Sequence, residues 1–138
     1  MDESRFPGIP LFSRLTRPQR KMLAEHAREI EVPAGEHLVD EGEFAHEFFV
    51  IEEGKAAVVA EGKHLTELGP GDFLGEIGLM KARNRTASVI ASTPIKAVVL
   101  DEDGFRTMTR SMPMIMREID AAIDERLRRD AFFGIARD

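Results

Sequence analysis

The stretch Phe48-Phe49-Val50-Ile51-Glu52-Glu53-Gly54-Lys55-Ala56-Ala57-Val58-Val59-Ala60-Glu61-Gly62-Lys63-His64-Leu65-Thr66-Glu67-Leu68 consists of three short apolar-rich runs split by Glu53-Gly54 and Glu61-Gly62. Glycine reaches positive φ without a steric penalty, so a Glu-Gly step between such runs reads as strand, tight turn, strand. The pattern extends outward in both directions. Eight of the 11 glycines lie between Gly35 and Gly78, and further turn signals stand at Ala34-Gly35, Glu41-Gly42, Gly69-Pro70-Gly71 and Thr93-Pro94. Strands are expected over 29–32, 36–39, 46–52, 55–60, 63–68, 85–91 and 95–100. Many short strands at roughly 8–12-residue spacing predict a mainly β fold, an antiparallel jelly-roll (double-stranded β-helix) barrel. No helical pattern of about 10–15 residues separates the early strands, which disfavours a parallel βαβ sheet.

Glycine-poor segments flank this window. Thr16 is a hydroxyl N-cap with Pro18 in the first turn, and Met22, Leu23, Ala27 and Ile30 follow at helical spacing, so a helix is expected over about 16–30, stopped by Pro33. Phe12 and Leu15 precede the cap and are placed to pack back on that stripe. After the strands, Asp101 or Asp103 can cap a short helix through Phe105-Arg106-Thr107-Met108, and Pro113 marks the first turn of a longer one. Along the longer helix Met112, Met116, Ile119, Ile123 and Leu127 form an apolar stripe that fits the barrel, a partner's helix, or both. Asp124 with Arg128, and Glu125 with Arg129, have the i,i+4 spacing of helix-surface ion pairs. Helices are thus expected over about 103–130, and the whole of 1–138 as one domain.

Composition narrows the function. The chain has 138 residues, no cysteine and a formal charge of −6. Disulfides, thiolate metal sites and a cysteine nucleophile are excluded, and an acidic balance argues against general nucleic-acid binding, which needs a basic face. No run approaches the ~18 consecutive apolar residues of a membrane span, and no signal peptide opens the chain, so a cytoplasmic location is expected. His26, His37, His46 and His64 are scattered singly, without the His-x-His pairing that would suggest a metal site. None of Ser13, Ser88, Ser92 and Ser111 sits in a Gly-x-Ser-x-Gly elbow. Neither a metal nor a catalytic constellation is expected.

One segment breaks the strand-turn rhythm: Gly69-Pro70-Gly71-Asp72-Phe73-Leu74-Gly75-Glu76-Ile77-Gly78-Leu79, then Asn84-Arg85-Thr86-Ala87-Ser88-Val89. Small residues from Gly75 to Gly78 let backbone N–H groups approach an anion. Arg85 can add a planar fork of donors to the same anion. Glu76 would repel a phosphate but can accept from a sugar hydroxyl. Together these groups fit a ligand with one phosphate and a free ribose hydroxyl.

On these residues the chain resembles the cyclic nucleotide-binding domain family, over about Ile9 to Leu127. Pro10-Leu11-Phe12-Ser13-Arg14-Leu15 resembles the family's lead into its first helix. Its early strands are matched by Gly35-Glu36-His37-Leu38-Val39-Asp40-Glu41-Gly42 and Phe49-Val50-Ile51-Glu52-Glu53-Gly54, and its phosphate-binding cassette by residues 71–89. The resemblance implies that Glu76 takes the ribose 2′-hydroxyl and Arg85 the cyclic phosphate. Gly75, Ile77, Gly78, Thr86 and Ala87 would complete the ligand site, with Thr86 able to touch the phosphate or a syn purine. Phe132 or Phe133 would cap the purine by stacking, as an aromatic after the C-terminal helix does in some members of the family, or else pack on the barrel. Gly78 stands where the family more often has alanine, and Asn84 where proline is common; neither change removes a binding group.

The expected function is therefore a non-catalytic regulatory module that binds a 3′,5′-cyclic nucleotide, cAMP ahead of cGMP, with no other cofactor. Occupancy would move the C-terminal helices and be passed to an effector protein or to a second copy through the C-terminal helix. After Leu127 too few residues remain for a helix-turn-helix, so direct nucleic-acid binding and membrane binding are not expected. The alternatives are a non-binding interaction domain of the same fold, the sensor fragment of a transcription regulator or larger signalling protein, and a cupin-type metal enzyme.

Overall fold

The computed structural model describes residues 1–76 and 84–134. Among these, strands β1 (Ala27–Val32), β2 (His37–Val39), β3 (Glu47–Glu53), β4 (Ala56–Ala60), β5 (Lys63–Leu68), β6 (Phe73–Leu74), β7 (Ser88–Ala91) and β8 (Ile95–Asp101) build two four-stranded sheets. Their orders are β1-β8-β3-β6 and β2-β7-β4-β5, antiparallel at every pairing. This is the mainly β, jelly-roll class that the turn rhythm predicts.

The long apolar runs of β3 and β8 follow from burial on both faces. Phe49, Ile51, Ala97 and Val99 point between the sheets, where they meet Val58 and Val89. Phe48, Val50, Val98 and Leu100 point the other way, into a second core made with the helices. Phe48 lies 5.1 Å from the ring of Phe105 and 5.5 Å from that of Phe73, centroid to centroid.

Among the described residues, three helices and two 3-10 turns cover that outer face. Helix α1 (Arg17–Ala24) starts at Thr16 with a complete capping box, Thr16 and Gln19 each accepting from the other's backbone N–H. It ends earlier than the expected residue 30. His26 N–H donates to Leu23 O at 3.0 Å, the chain reverses, and Ala27 and Ile30 become strand residues paired with β8. The ladder hydrogen bonds of β1 outweigh a helical spacing that was coincidental. Helix α2 (Glu102–Ser111) is capped by Asp101, whose carboxylate accepts from Gly104 N–H at 2.6 Å. Helix α3 (Pro113–Phe132) begins at Pro113 and buries Ile115, Ile119 and Ile123. Its apolar stripe is therefore used inside the chain, with Met108 and Met112 as core filling.

Two further expectations change. The strand expected from residue 85 begins at Ser88, and two-residue β6 carries too little periodicity to be seen in sequence. The i,i+4 ion pairs foreseen on α3 are not those formed among the described residues: Arg106 pairs with Glu102 on α2, while on α3 Arg126 and Arg129 turn to other partners. No helix of the described residues is long and apolar enough to cross a membrane.

Candidate functional site

The segment around Gly75 is fixed to β3 from one side. Phe73 and Leu74 pair with Val50 and Phe49, while Gly71 N–H donates to Ile51 O and Ile51 N–H to Asp72 O, at 2.8 and 2.9 Å. Gly75 leaves this ladder with φ +101°, and a Cβ there would lie 2.6 Å from Glu47 O and 2.7 Å from Arg85 Nη1. Only glycine fits, because the backbone conformation and the close approach of Arg85 both exclude a side chain.

Arg85 is held from its backbone outward. Its N–H donates to Glu43 O at 2.7 Å and its carbonyl accepts from Gly42 N–H at 2.9 Å, anchoring the strand side of the cassette. The guanidinium donates to Glu47 O at 2.7 Å through Nη2 and to Gly75 O at 3.1 Å through Nη1. Burial pushes its pKa down from the usual arginine range, with Glu76, Glu47 and Glu43 acting in the opposite direction. Arginine stays charged at any pH at which proteins survive, so the result is a half-buried, oriented cation.

Glu76 is 1% exposed, and its Oε1 accepts from Arg126 Nη1 on α3. Arg126 also donates through Nη2 to Phe73 O, and its guanidinium lies 5.2 Å from the centre of the Phe73 ring. The other carboxylate oxygen, Glu76 Oε2, is buried with no hydrogen-bond partner among the described residues. Such an oxygen is costly unless something donates to it. A sugar hydroxyl is a donor of the right kind.

Gly75, Glu76, Arg85, Thr86 and Ala87 line one pocket. Its remaining wall is apolar, from Val39, Val58, Leu68, Leu74 and Val89, and is completed by Arg126 and Arg129 of α3. The expected site residues Ile77 and Gly78 lie outside the described residues. Phe132 and Phe133 are not among the lining residues. Phe132 is 85% exposed, and Phe133 packs edge-on to it at 5.3 Å and against the inter-sheet core. Lys63 Nζ donates to Phe133 O at 2.7 Å, tying the end of α3 to β5.

Sequence reasoning missed the two α3 arginines. A signal was present: Arg126 and Asp130 continue the spacing of Ile115, Ile119 and Ile123, and a charge on the buried face of an amphipathic helix needs a partner. The four histidines lie apart: His26 is 3.3 Å from Asp101, His37 is 2.5 Å from Asp40, His46 stacks edge-on with Phe44, and His64 is on β5. No group of three or more potential metal ligands gathers among the described residues.

A jelly-roll pocket lined by an oriented guanidinium, a glycine-forced backbone bend and a buried carboxylate has groups suited to a small ligand that carries both an anion and hydroxyls. Comparison with known proteins agrees: residues 29–112 match the family model of the cyclic nucleotide-binding domain, and the chain belongs to that family. It is 33% identical over 122 residues to the cAMP-dependent protein kinase regulatory subunit of Emericella nidulans, an overlap of 87% of this chain and 30% of that protein. The chain thus spans less than a third of that curated relative. Among solved structures, cAMP-bound PfPKA-R superposes with a TM-score of 0.83 at 21% identity, over 97% of this chain and 46% of that one. The regulatory subunit of a cAMP-independent protein kinase A from Trypanosoma brucei has a TM-score of 0.75 at 24% identity, covering 83% and 44%. The fold is thus shared by proteins described as cAMP-bound and as cAMP-independent, and ligand choice has to be argued from the site.

Proposed function

We propose that this chain is a regulatory module that binds a 3′,5′-cyclic nucleotide, cAMP ahead of cGMP, in the pocket between the Gly75–Ala87 cassette and α3. The observation that carries the reading is the convergence of Arg85 and Glu76. Both residues line one cavity, and the Glu76 carboxylate has one buried oxygen to which no described group donates. In this reading Arg85 holds the cyclic phosphate, and Glu76 Oε2 accepts from the ribose 2′-hydroxyl. Gly75 allows the close approach, with Ile77, Gly78, Thr86 and Ala87 completing the site.

The same geometry supplies a relay. Arg126 links α3 to Glu76 and to Phe73 O, so a group that enters beside Glu76 alters what α3 is held by. Ligand contacts that exist in only one arrangement of α3 shift the population toward it. The output passes to an effector protein, or to a second copy of the chain. The module binds and relays; catalysis is no part of the proposal.

A thermal-shift titration tests the reading most directly. A ligand that binds only the folded state raises the midpoint with occupancy, by about 2.7 kcal/mol of stabilisation at a hundredfold excess over Kd. cAMP at equal concentration is expected to raise it more than cGMP, and noncyclic AMP to leave it unmoved. Equal shifts with AMP and cAMP would remove the cyclic phosphate from the recognition.

A second experiment isolates Glu76. A hydrogen bond to a charged group contributes about 1.5–3 kcal/mol, so the wild type should bind a 2′-deoxy analogue roughly tenfold to a hundredfold more weakly than the parent nucleotide. In Glu76→Gln that penalty should shrink severalfold by calorimetry. An unchanged penalty would take Glu76 out of the ribose role.

A further inference from the structure

The C-terminal end of α3 walls the pocket with little apolar anchorage. Ile115, Ile119 and Ile123 are buried in the helix-side core and Leu127 is partly buried against it, but Ala131 and Phe132 beyond them are exposed. From Arg126, which bonds Glu76, the helix runs about two more turns to its cap at Phe133, roughly 10 Å further along the axis. Arg126 and Arg129 belong to the pocket lining, so that wall stands only while this end of α3 is seated.

Asp130 works against seating. Its carboxylate is 2% exposed, and the cation beside it, Arg129 Nη2 at 3.2 Å, is carried by the same helix. Lifting the helix end returns that carboxylate to water without parting the pair, so desolvation favours release. Two attachments beyond Leu127 oppose it. Phe133 packs against the inter-sheet core, and Lys63 Nζ donates to Phe133 O at 2.7 Å.

Lys63 is well placed to hold. It opens β5 opposite Ala60 in the β4–β5 ladder, so its backbone is fixed while its side chain is free to reach. Phe133 O lies in the last turn of α3, where carbonyls have no helical N–H to accept from. An ammonium both fills that need and puts positive charge at the negative end of the helix dipole.

We propose that Lys63, which lies outside the pocket lining, is a positioning residue that seats the end of α3 on β5 and thereby slows the exchange of ligand. This rests on the cyclic-nucleotide reading above. If the wall must lift before ligand enters and again before it leaves, a tie that holds it down slows both steps by the same factor. Affinity then changes far less than either rate. A side chain that merely stabilised the bound site would instead slow dissociation alone and tighten binding.

Stopped-flow mixing with a fluorescent cAMP analogue separates these cases in the wild type, Lys63→Met and Lys63→Arg. Lys63→Met keeps the stem and loses the cation; both its association and dissociation rates should rise roughly two- to fivefold, with Kd within twofold of wild type. Lys63→Arg keeps a charged donor and should restore the wild-type rates. Unchanged rates in Lys63→Met, or faster dissociation matched by an equal loss of affinity, would overturn the positioning role and leave the binding site standing. Hydrogen exchange of the ligand-free chain reads the tie itself: amides in the last turn of α3 should exchange faster in Lys63→Met, and equal protection would overturn the proposal. A wild type that binds no cyclic nucleotide would overturn the reading of the site, and with it this role for Lys63.

Discussion

Arg85→Ala is expected to lower cyclic-nucleotide affinity by roughly tenfold to over a hundredfold, the equivalent of about 1.5–3 kcal/mol for a hydrogen-bonded charge. The loss has two parts. The phosphate loses its cation, and the carbonyls of Gly75 and Glu47 lose the donor that holds the two sides of the cassette together. Each lost carbonyl bond costs about 0.5–1.5 kcal/mol of stability, so the midpoint of unfolding should drop by several degrees while the fold persists. Both cores lie outside this contact, since neither apolar cluster includes Arg85. Calorimetry with cAMP, with the unfolding midpoint measured alongside, separates the two parts. Equal affinity in wild type and Arg85→Ala would remove Arg85 from the phosphate site.

Gly54→Ala should be the most damaging single methyl group for stability. Gly54 has φ +93°, and a Cβ there would stand 2.1 Å from Pro94 O and 3.0 Å from Thr93 Oγ1. The β3–β4 turn is packed directly on the β7–β8 turn, where Lys55 N–H donates to Thr93 Oγ1 and Lys55 O accepts from Ser92 and Thr93 N–H. Neither backbone can withdraw without breaking those bonds. Left-handed strain of about 1–2 kcal/mol adds to an overpacking cost of about 1–3 kcal/mol. A loss of about 2–5 kcal/mol, or roughly 10 °C in midpoint for a domain of this size, is expected by thermal denaturation. Gly62→Ala is the control: it too has positive φ, at +76°, but its Cβ would meet nothing within 4 Å, so only the strain part should appear. Equal losses at the two positions would show that the Pro94 contact contributes nothing.

The candidate site is partly legible in the order of residues. Gly75, Glu76 and Arg85 stand out because anion recognition by backbone amides and a guanidinium demands small residues and an arginine at close sequence spacing, with a carboxylate free for a hydroxyl, while Thr86 and Ala87 enter through the resemblance to the family. The structure places all five on one pocket. Arg126 and Arg129 do not stand out in this way. Glu76, the partner of Arg126, is 50 residues away in sequence, and Arg129 pairs with its neighbour Asp130, while the local i,i+4 rule points to surface pairs instead. Phe132 and Phe133 attract notice as apolar residues near a terminus, yet one is exposed and the other packs on the inter-sheet core, outside the pocket lining.

The turns between the early strands, the apolar continuity of β3 and β8, the Thr16 cap, and the break at Pro113 are properties of short segments. Backbone propensity and burial pattern act within a few residues, so the amino-acid order alone determined them. The end of α1 at Ala24, the existence of β6, and the pairing of Arg126 with Glu76 depend on which distant strand or helix is available to bond. Those are non-local competitions between ladder hydrogen bonds, helix packing and desolvated charge, and only the assembled tertiary structure decides them.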